Sequence, residues 1–164
     1  MKIDYQVDSK GLLAAFESFP EQTIKNVRLA LRRSIRDIQQ EARNNHRFTS
    51  RTGQAERAVN ARMVDAMTGE VFLDDDQAPW AKFLHEGTGI YGDSGQPYMI
   101  APKDKKALRW VGGASFVFSK YVMHPGIESD PFLHQAAINK KAQVQANITD
   151  AVHQSIREAG LRNG

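Results

Sequence analysis

Between Pro20 and His46 the apolar residues Ile24, Val27, Leu31, Ile35, Ile38 and Ala42 recur at steps of three and four. That spacing lays them along one stripe of a single long helix. Arginines take the other side: Arg28, Arg32, Arg33 and Arg36 fall between the apolar positions. Burying so many guanidinium groups without partners would cost more than packing returns, so this face is expected to meet solvent or a partner. The stripe, by contrast, has to be covered by the rest of the chain. A second pattern of the same kind runs from Pro131 to about Ala159, through Leu133, Ala137, Val144, Ile148, Val152 and Ile156, with Gly160 as its terminator.

The chain between and before these helices reads as short strands. Ile3, Tyr5 and Val7 alternate with polar neighbours, and Asp8 or Ser9 is placed to cap a short helix running through Phe19. "NARMVDA" and "GEVFLDDD" read as two strands of a hairpin turning at Met67-Thr68-Gly69, with Val71 and Leu73 on one face. "YMIAP", "ALRWV" and "ASFVFSKYVMH" read as extended, the last two punctuated by Gly112-Gly113, with Phe116, Phe118 and Tyr121 supplying the apolar alternation. Two long helices around several short strands predict an α+β domain, with both helices packed on a largely antiparallel sheet, as one unit over residues 1–164.

With 164 residues the chain is long enough for one real core. It has no cysteine, which excludes disulfides, thiolate nucleophiles and cysteine-bound metals. No stretch reaches the roughly 18 apolar residues of a membrane span, and the start lacks the apolar run of a secretory signal, so cytoplasmic synthesis without membrane contact is expected. The formal net charge is only +3, but residues 21–57 hold nine basic against four acidic side chains. Asp65, Glu70, Asp74, Asp75 and Asp76 follow as an acidic stretch. Such polarity suits contact with charged partner surfaces.

"HEGTGIYGDSGQP" contains a GxGxxG at Gly87, Gly89 and Gly92. A phosphate cradle needs a strand before the first glycine and a helix after the last. Here "APWAKFLHE", with Pro79 in a first-turn position and Trp80, Phe83 and Leu84 at helical spacing, predicts a helix before the string, and turn formers follow it. No nucleotide or other cofactor is expected. The five histidines are scattered without HxxxH or HExxH spacing, and three consecutive aspartates on a regular strand cannot converge, so no metal site is expected either. No catalytic triad signature is present.

Taken in order, "RTGQAERAV" after a basic helix, "APWAKFLHEGTG" after an acidic hairpin, "PYMIAPKDKKALRW", "HPG" at 124–126 and "DPFLHQAA" opening the last helix resemble the tail-completion, or head-tail joining, family of tailed bacteriophages and prophages. Arg51, Thr52 and Gly53 fit that family's RTG. Trp80, Phe83, His85, Glu86, Gly87 and Thr88 fit its aromatic run ending in an EGT or FGT turn. His124, Pro125 and Gly126 fit its HPG loop, and Pro131, Phe132 and Leu133 its PFL. The chain departs from the pattern in having Trp80 where tyrosine is usual and Gln54-Ala55 where leucine commonly follows RTG.

The resemblance implies a non-enzymatic virion protein that assembles as a ring in the neck, between the capsid connector or adaptor and the tail-tube or tail-terminator proteins, after a passage through host cytoplasm. A ring subunit must present two different surfaces, and Arg28, Arg32, Arg36 and Arg51 against Asp74, Asp75 and Asp76 are chemically complementary candidates. Gly89 lies with Gly87 in a segment, 87–97, expected to be mobile until a partner orders it, and Gly112-Gly113 is expected to permit a second such loop. Two other readings compete. Arg28, Arg32, Arg36 and Arg43 along one helix would suit a nucleic-acid-binding module, and weak contact with packaged DNA is compatible with the ring itself. His85, Glu86 and His124 would serve as acid and base of a hydrolase if they met in a pocket.

Overall fold

The computed structural model describes residues 4–8 and 21–158. The helix expected through Phe19 and the terminator Gly160 lie outside them. The elements in chain order are β1 (Asp4–Asp8), α1 (Glu21–Asn44), α2 (Gln54–Arg57), β2 (Val59–Met63), β3 (Thr68–Leu73), α3 (Ala81–Glu86), a 3-10 turn (Gly89–Tyr91), β4 (Tyr98–Ile100), β5 (Leu108–Gly112), β6 (Ser115–Ser119), β7 (Val122–His124) and α4 (Phe132–Glu158). The class is α+β, and every strand pairing among the described residues is antiparallel. The strands form three small sheets, ordered β1-β3-β2, β4-β7 and β5-β6. Two compact units emerge: residues 1–82 with 131–164, and residues 83–130.

The first unit is organised by α1. Val27, Leu31, Ile35, Ile38 and Ala42 are all buried, as their spacing predicts. Fully covering one such side chain contributes roughly 1.5–3 kcal/mol relative to leaving it in water. One part of the cover is the β2–β3 hairpin. Its turn lies at residues 64–67, ahead of the Met67-Thr68-Gly69 expected from composition. Asp65 accepts the Met67 N–H at 2.7 Å and Val64 N–H bonds to the Thr68 carbonyl at 2.8 Å, which closes the turn early. Met67 then packs with Val27, Ala30 and Ala151 in the core. Gly69 is a strand residue, required because a Cβ there would sit 2.7 Å from Ile35 Cγ2.

The other cover is α4, which runs antiparallel to α1. Asn26 bonds Ser155 Oγ at 3.0 Å, Asn147 bonds the fully buried Ser34 Oγ at 3.1 Å, and Lys140 pairs with Glu41 at 3.3 Å. Successive rungs are eight and then seven residues apart on both helices, close to two helical turns, so the polar contacts repeat along one seam. The buried line on α4 is Phe132, Leu133, Ala136, Val144, Ala151 and Ser155, while Ile148 and Val152 are only partly covered. At the C-terminal end of α1, Gln39 and Arg43 both donate to the Val59 carbonyl, tying the helix to the start of β2.

On the sheet face away from Ile35, Glu70 is buried and ion-paired with Arg62, its cross-strand neighbour, whose guanidinium lies 4.7 Å from the Phe72 ring centroid. Asn139 and Asn45 donate to the Glu41 carboxylate, and with Lys140 they hold its pKa below the ordinary 4.5 despite partial burial.

Two outcomes are expected. Gly69→Ala destabilises the protein by about 1–3 kcal/mol in urea unfolding through overpacking against Ile35, and Ile35→Ala, which removes the Cγ2 that the new methyl meets and alone costs about 2–5 kcal/mol, costs less in that background. A carboxylate with a depressed folded pKa contributes stability that is complete above its unfolded value and is lost as pH falls through the folded value. Glu41→Gln, which keeps an acceptor for Asn139, therefore flattens the decline of the unfolding midpoint at pH values below 4.5.

Candidate assembly interface

The second unit is built around a contact between two segments far apart in sequence, Gly87-Thr88-Gly89 and Pro125-Gly126-Ile127. Thr88 N–H donates to the Ile127 carbonyl at 2.9 Å and Ile90 N–H to the Pro125 carbonyl at 2.8 Å. Ile127 N–H returns a bond to Thr88 Oγ1 at 2.9 Å. The backbones approach so closely that a Cβ on Gly126 would overlap the Thr88 carbonyl, and one on Gly89 the Pro125 carbonyl. Gly126 and Gly89 also have φ of 118° and 64°, which strain any side-chain-bearing residue. A Cβ on Gly87 or Gly92 would likewise meet backbone, the Tyr91 carbonyl oxygen at 2.7 Å and the Gly87 carbonyl oxygen at 2.9 Å, so all three glycines of the GxGxxG string serve backbone packing, after a helix and before turns.

The remaining motif residues frame this junction. His85 is buried at the end of α3, and its carbonyl accepts the Ser129 hydroxyl at 2.8 Å. Leu84 accepts the Asp130 N–H at 2.9 Å, tying the helix to the segment that follows Ile127. His124 Nδ1 accepts the Gly126 N–H at 3.0 Å, so that nitrogen shapes the HPG turn. Glu86 is half-buried, and its Oε1 makes no hydrogen bond. The junction differs from the mobile loop expected at 87–97: residues 88–90 are bonded in place, whereas 93–97 are exposed and Gly95 faces open space.

Beyond the junction the unit carries two ribbons. In β4–β7, Met99 and Met123 are directly paired and both more than half exposed. β5 and β6 are joined through Gly113 and Ala114. Positive φ at Gly113 alone marks a type II′ turn, which suits the twist of a hairpin. Gly112 is therefore a strand residue and no second loop forms. Trp110 and Val117 face each other on one side of this ribbon; Val111 opposes Phe116, and Arg109 opposes Phe118, on the other. Phe116 and Phe118 alternate along β6 as expected, with Tyr121 beyond its end, and the face they share with Val111 is open: Val111, Phe116 and Phe118 are 69%, 56% and 66% exposed. Ser119 bonds both backbone groups of Tyr121, breaking the strand so that Val122–His124 pairs with β4.

Basic residues cluster at the base of the ribbon. Lys103, Lys105, Lys106, Arg109 and Lys120 stand against Asp104 alone over residues 103–120. Lys103, Lys105, Lys106, Arg109 and Phe118 help to line an open depression of about 750 Å³. Arg109 lies 4.6 Å over the Phe116 ring, a cation–π contact. Sequence reasoning missed this surface, because period-two alternation identifies a strand and not what covers it. The lysines flanking aromatic strands were the available signal.

The other candidate residues belong to the first unit. Arg32, Arg36 and Arg51 are exposed, and Arg28 donates to the Ala66 carbonyl at 3.3 Å in the hairpin turn. Asp74 is a capping residue: it accepts the N–H of Asp76 and Gln77 and the Gln77 and Asn60 side-chain amides. Asp75 and Asp76 are exposed, as are Pro79 and Trp80 just beyond them. Pro79 occupies a turn closed by Ala81 N–H to the Ala78 carbonyl, so α3 begins two residues later than its position suggested. Among the described residues no group of His, Asp and Glu is placed to hold a metal ion, and no helix is long and apolar enough to cross a membrane. No protein-family model, curated protein or solved structure matches this chain.

Gly126→Ala is expected to cost at least about 2 kcal/mol, since backbone strain and overlap with a carbonyl add. Gly95→Ala, with the same class of φ but open space, is expected to cost only about 1–2 kcal/mol. Native-state hydrogen exchange should show Thr88, Ile90 and Ile127 slow and Asp93 and Gln96 fast, with Gly126→Ala releasing the slow set.

Proposed function

We propose that this chain is a structural subunit of a tailed-phage or prophage virion that completes the tail end and joins it to the capsid connector as part of a ring in the neck. The observation that carries the reading is the β5–β6 ribbon, which holds large apolar side chains in solvent on both faces. A two-stranded ribbon is marginal by itself, and a contiguous exposed apolar patch is the mark of a surface that meets another macromolecule. A protein whose task is assembly has reason to keep such a surface; one acting on a small molecule would instead concentrate its features in a concave site.

The ordered series of short motifs supports the same reading. HEGTG and HPG, distant in sequence, are bonded backbone to backbone where β7 ends at His124. Its partners are then the connector or adaptor on one side, tail-tube or tail-terminator proteins on the other, and further copies of itself. The exposed Arg32, Arg36 and Arg51 offer bidentate donors to partner carboxylates. Its role is non-enzymatic and needs no cofactor.

Removing the gene from the phage or prophage that carries it is expected to yield capsids and tails that remain separate under the electron microscope, with infectivity restored by supplying the protein in trans. Intact, infectious particles in its absence would overturn the proposal.

A further inference from the structure

We infer that the β5–β6 ribbon of one subunit docks on the Asp75–Trp80 turn of a second copy of this chain. The inference rests on the assembly role proposed above and assigns that surface its partner. The ribbon is apolar on both faces and basic at its base, so its complement must be apolar and acidic. A second ribbon does not qualify: paired base to base it sets Lys105, Lys106 and Arg109 against the same charges of the other copy, and paired base to tip it offers them no acidic complement. That disfavours a two-fold contact between like surfaces and favours one between unlike surfaces.

The first unit presents such a complement. Asp74 spends its carboxylate on Asp76, Gln77 and Asn60, which fixes the turn. The fixed turn exposes Asp75 and Asp76, then Pro79 and the 41% exposed Trp80. Carboxylates there match the lysines of the ribbon base, and the indole offers both an apolar platform and the best aromatic partner for a cation such as Arg109. Nucleic acid would also satisfy the basic groups. Trp110, Phe116 and Phe118 would stack on its bases, but Val111, at 69% the most exposed apolar side chain of the ribbon, has no ring face to offer them, and burying it takes a partner with apolar side chains. Because ribbon and turn are different surfaces of one chain, each docked copy still offers the other surface to the next. Repetition of that contact closes a ring when the rotation fits.

The absence of cysteine makes the test direct. Full-length Asp104→Cys, at the ribbon base beside Lys105, and Gln77→Cys, in the turn beside Asp76, are given tags of different size, mixed and oxidised; only a product carrying both tags reports contact between copies. Its yield is expected to exceed several-fold that of Asp104→Cys mixed with Gln145→Cys on the exposed side of α4. Lys105→Glu with Lys106→Glu in the ribbon copy should abolish the excess, and Asp75→Lys with Asp76→Lys in the turn copy should restore it, which a misfolded variant cannot do. Equal yields from the two pairs, or an excess blind to charge reversal, would overturn the inference. So would tight, salt-steep binding of a mixed-sequence DNA duplex that is lost in the Lys105→Glu, Lys106→Glu protein without any cross-link excess. If the cross-link fails while gene removal still separates heads from tails, the assembly role stands with another interface. If the cross-link succeeds while particles form normally without the gene, the self-contact stands without that role.

Discussion

Coverage of the apolar stripe on α1 is the constraint on which the first unit depends. Val27, Leu31 and Ile35 reach full or nearly full burial only because the β2–β3 hairpin and α4 both close on the same helix. The apolar contacts supply the driving force but are indifferent to sliding by a turn. The polar rungs at Asn26, Ser34 and Glu41 are not indifferent, since each meets its α4 partner at one register only. Apolar burial and register are thus supplied by different residues on one helix face, as expected where polar groups in a seam specify alignment more than they stabilise it.

How much of this was legible follows from the range over which each signal acts. Six apolar residues repeating over many turns of α1 are a strong periodic signal, and the helix, its buried line and its exposed arginines could be read directly. The hairpin was legible but its turn was not. Composition pointed to Met67-Thr68-Gly69, whereas Met67 is a core residue and Gly69 is small because Ile35 presses on it from another element. Pro79 misplaced a helix start for a similar reason: its fixed φ suits a turn as well as a first helical position.

The candidate site was legible in its parts and hidden in its assembly. Glycines in HEGTG and HPG announce unusual backbone, but nothing local says that the two segments bond to each other. That contact is a tertiary fact, and it turns an expected mobile loop into a fastened one over residues 88–90. The ribbon is the converse case. Its alternation reads as an ordinary half-covered sheet, and only the coordinates reveal that, among the described residues, nothing covers Val111, Phe116 or Phe118. A surface of that kind is intelligible as one whose cover arrives with a partner.

Because Gly89 and Gly126 leave no room for a single added carbon, the junction can hardly drift, while Gly95 in the 93–97 tip and Gly113 in the Gly113-Ala114 bend face open space. Length and chemistry can therefore be rewritten at those two tips without unseating the ribbons that bear them. Such an arrangement separates a fixed hinge of construction from exchangeable contact surfaces, and would let one scaffold be refitted to new neighbours by insertion alone.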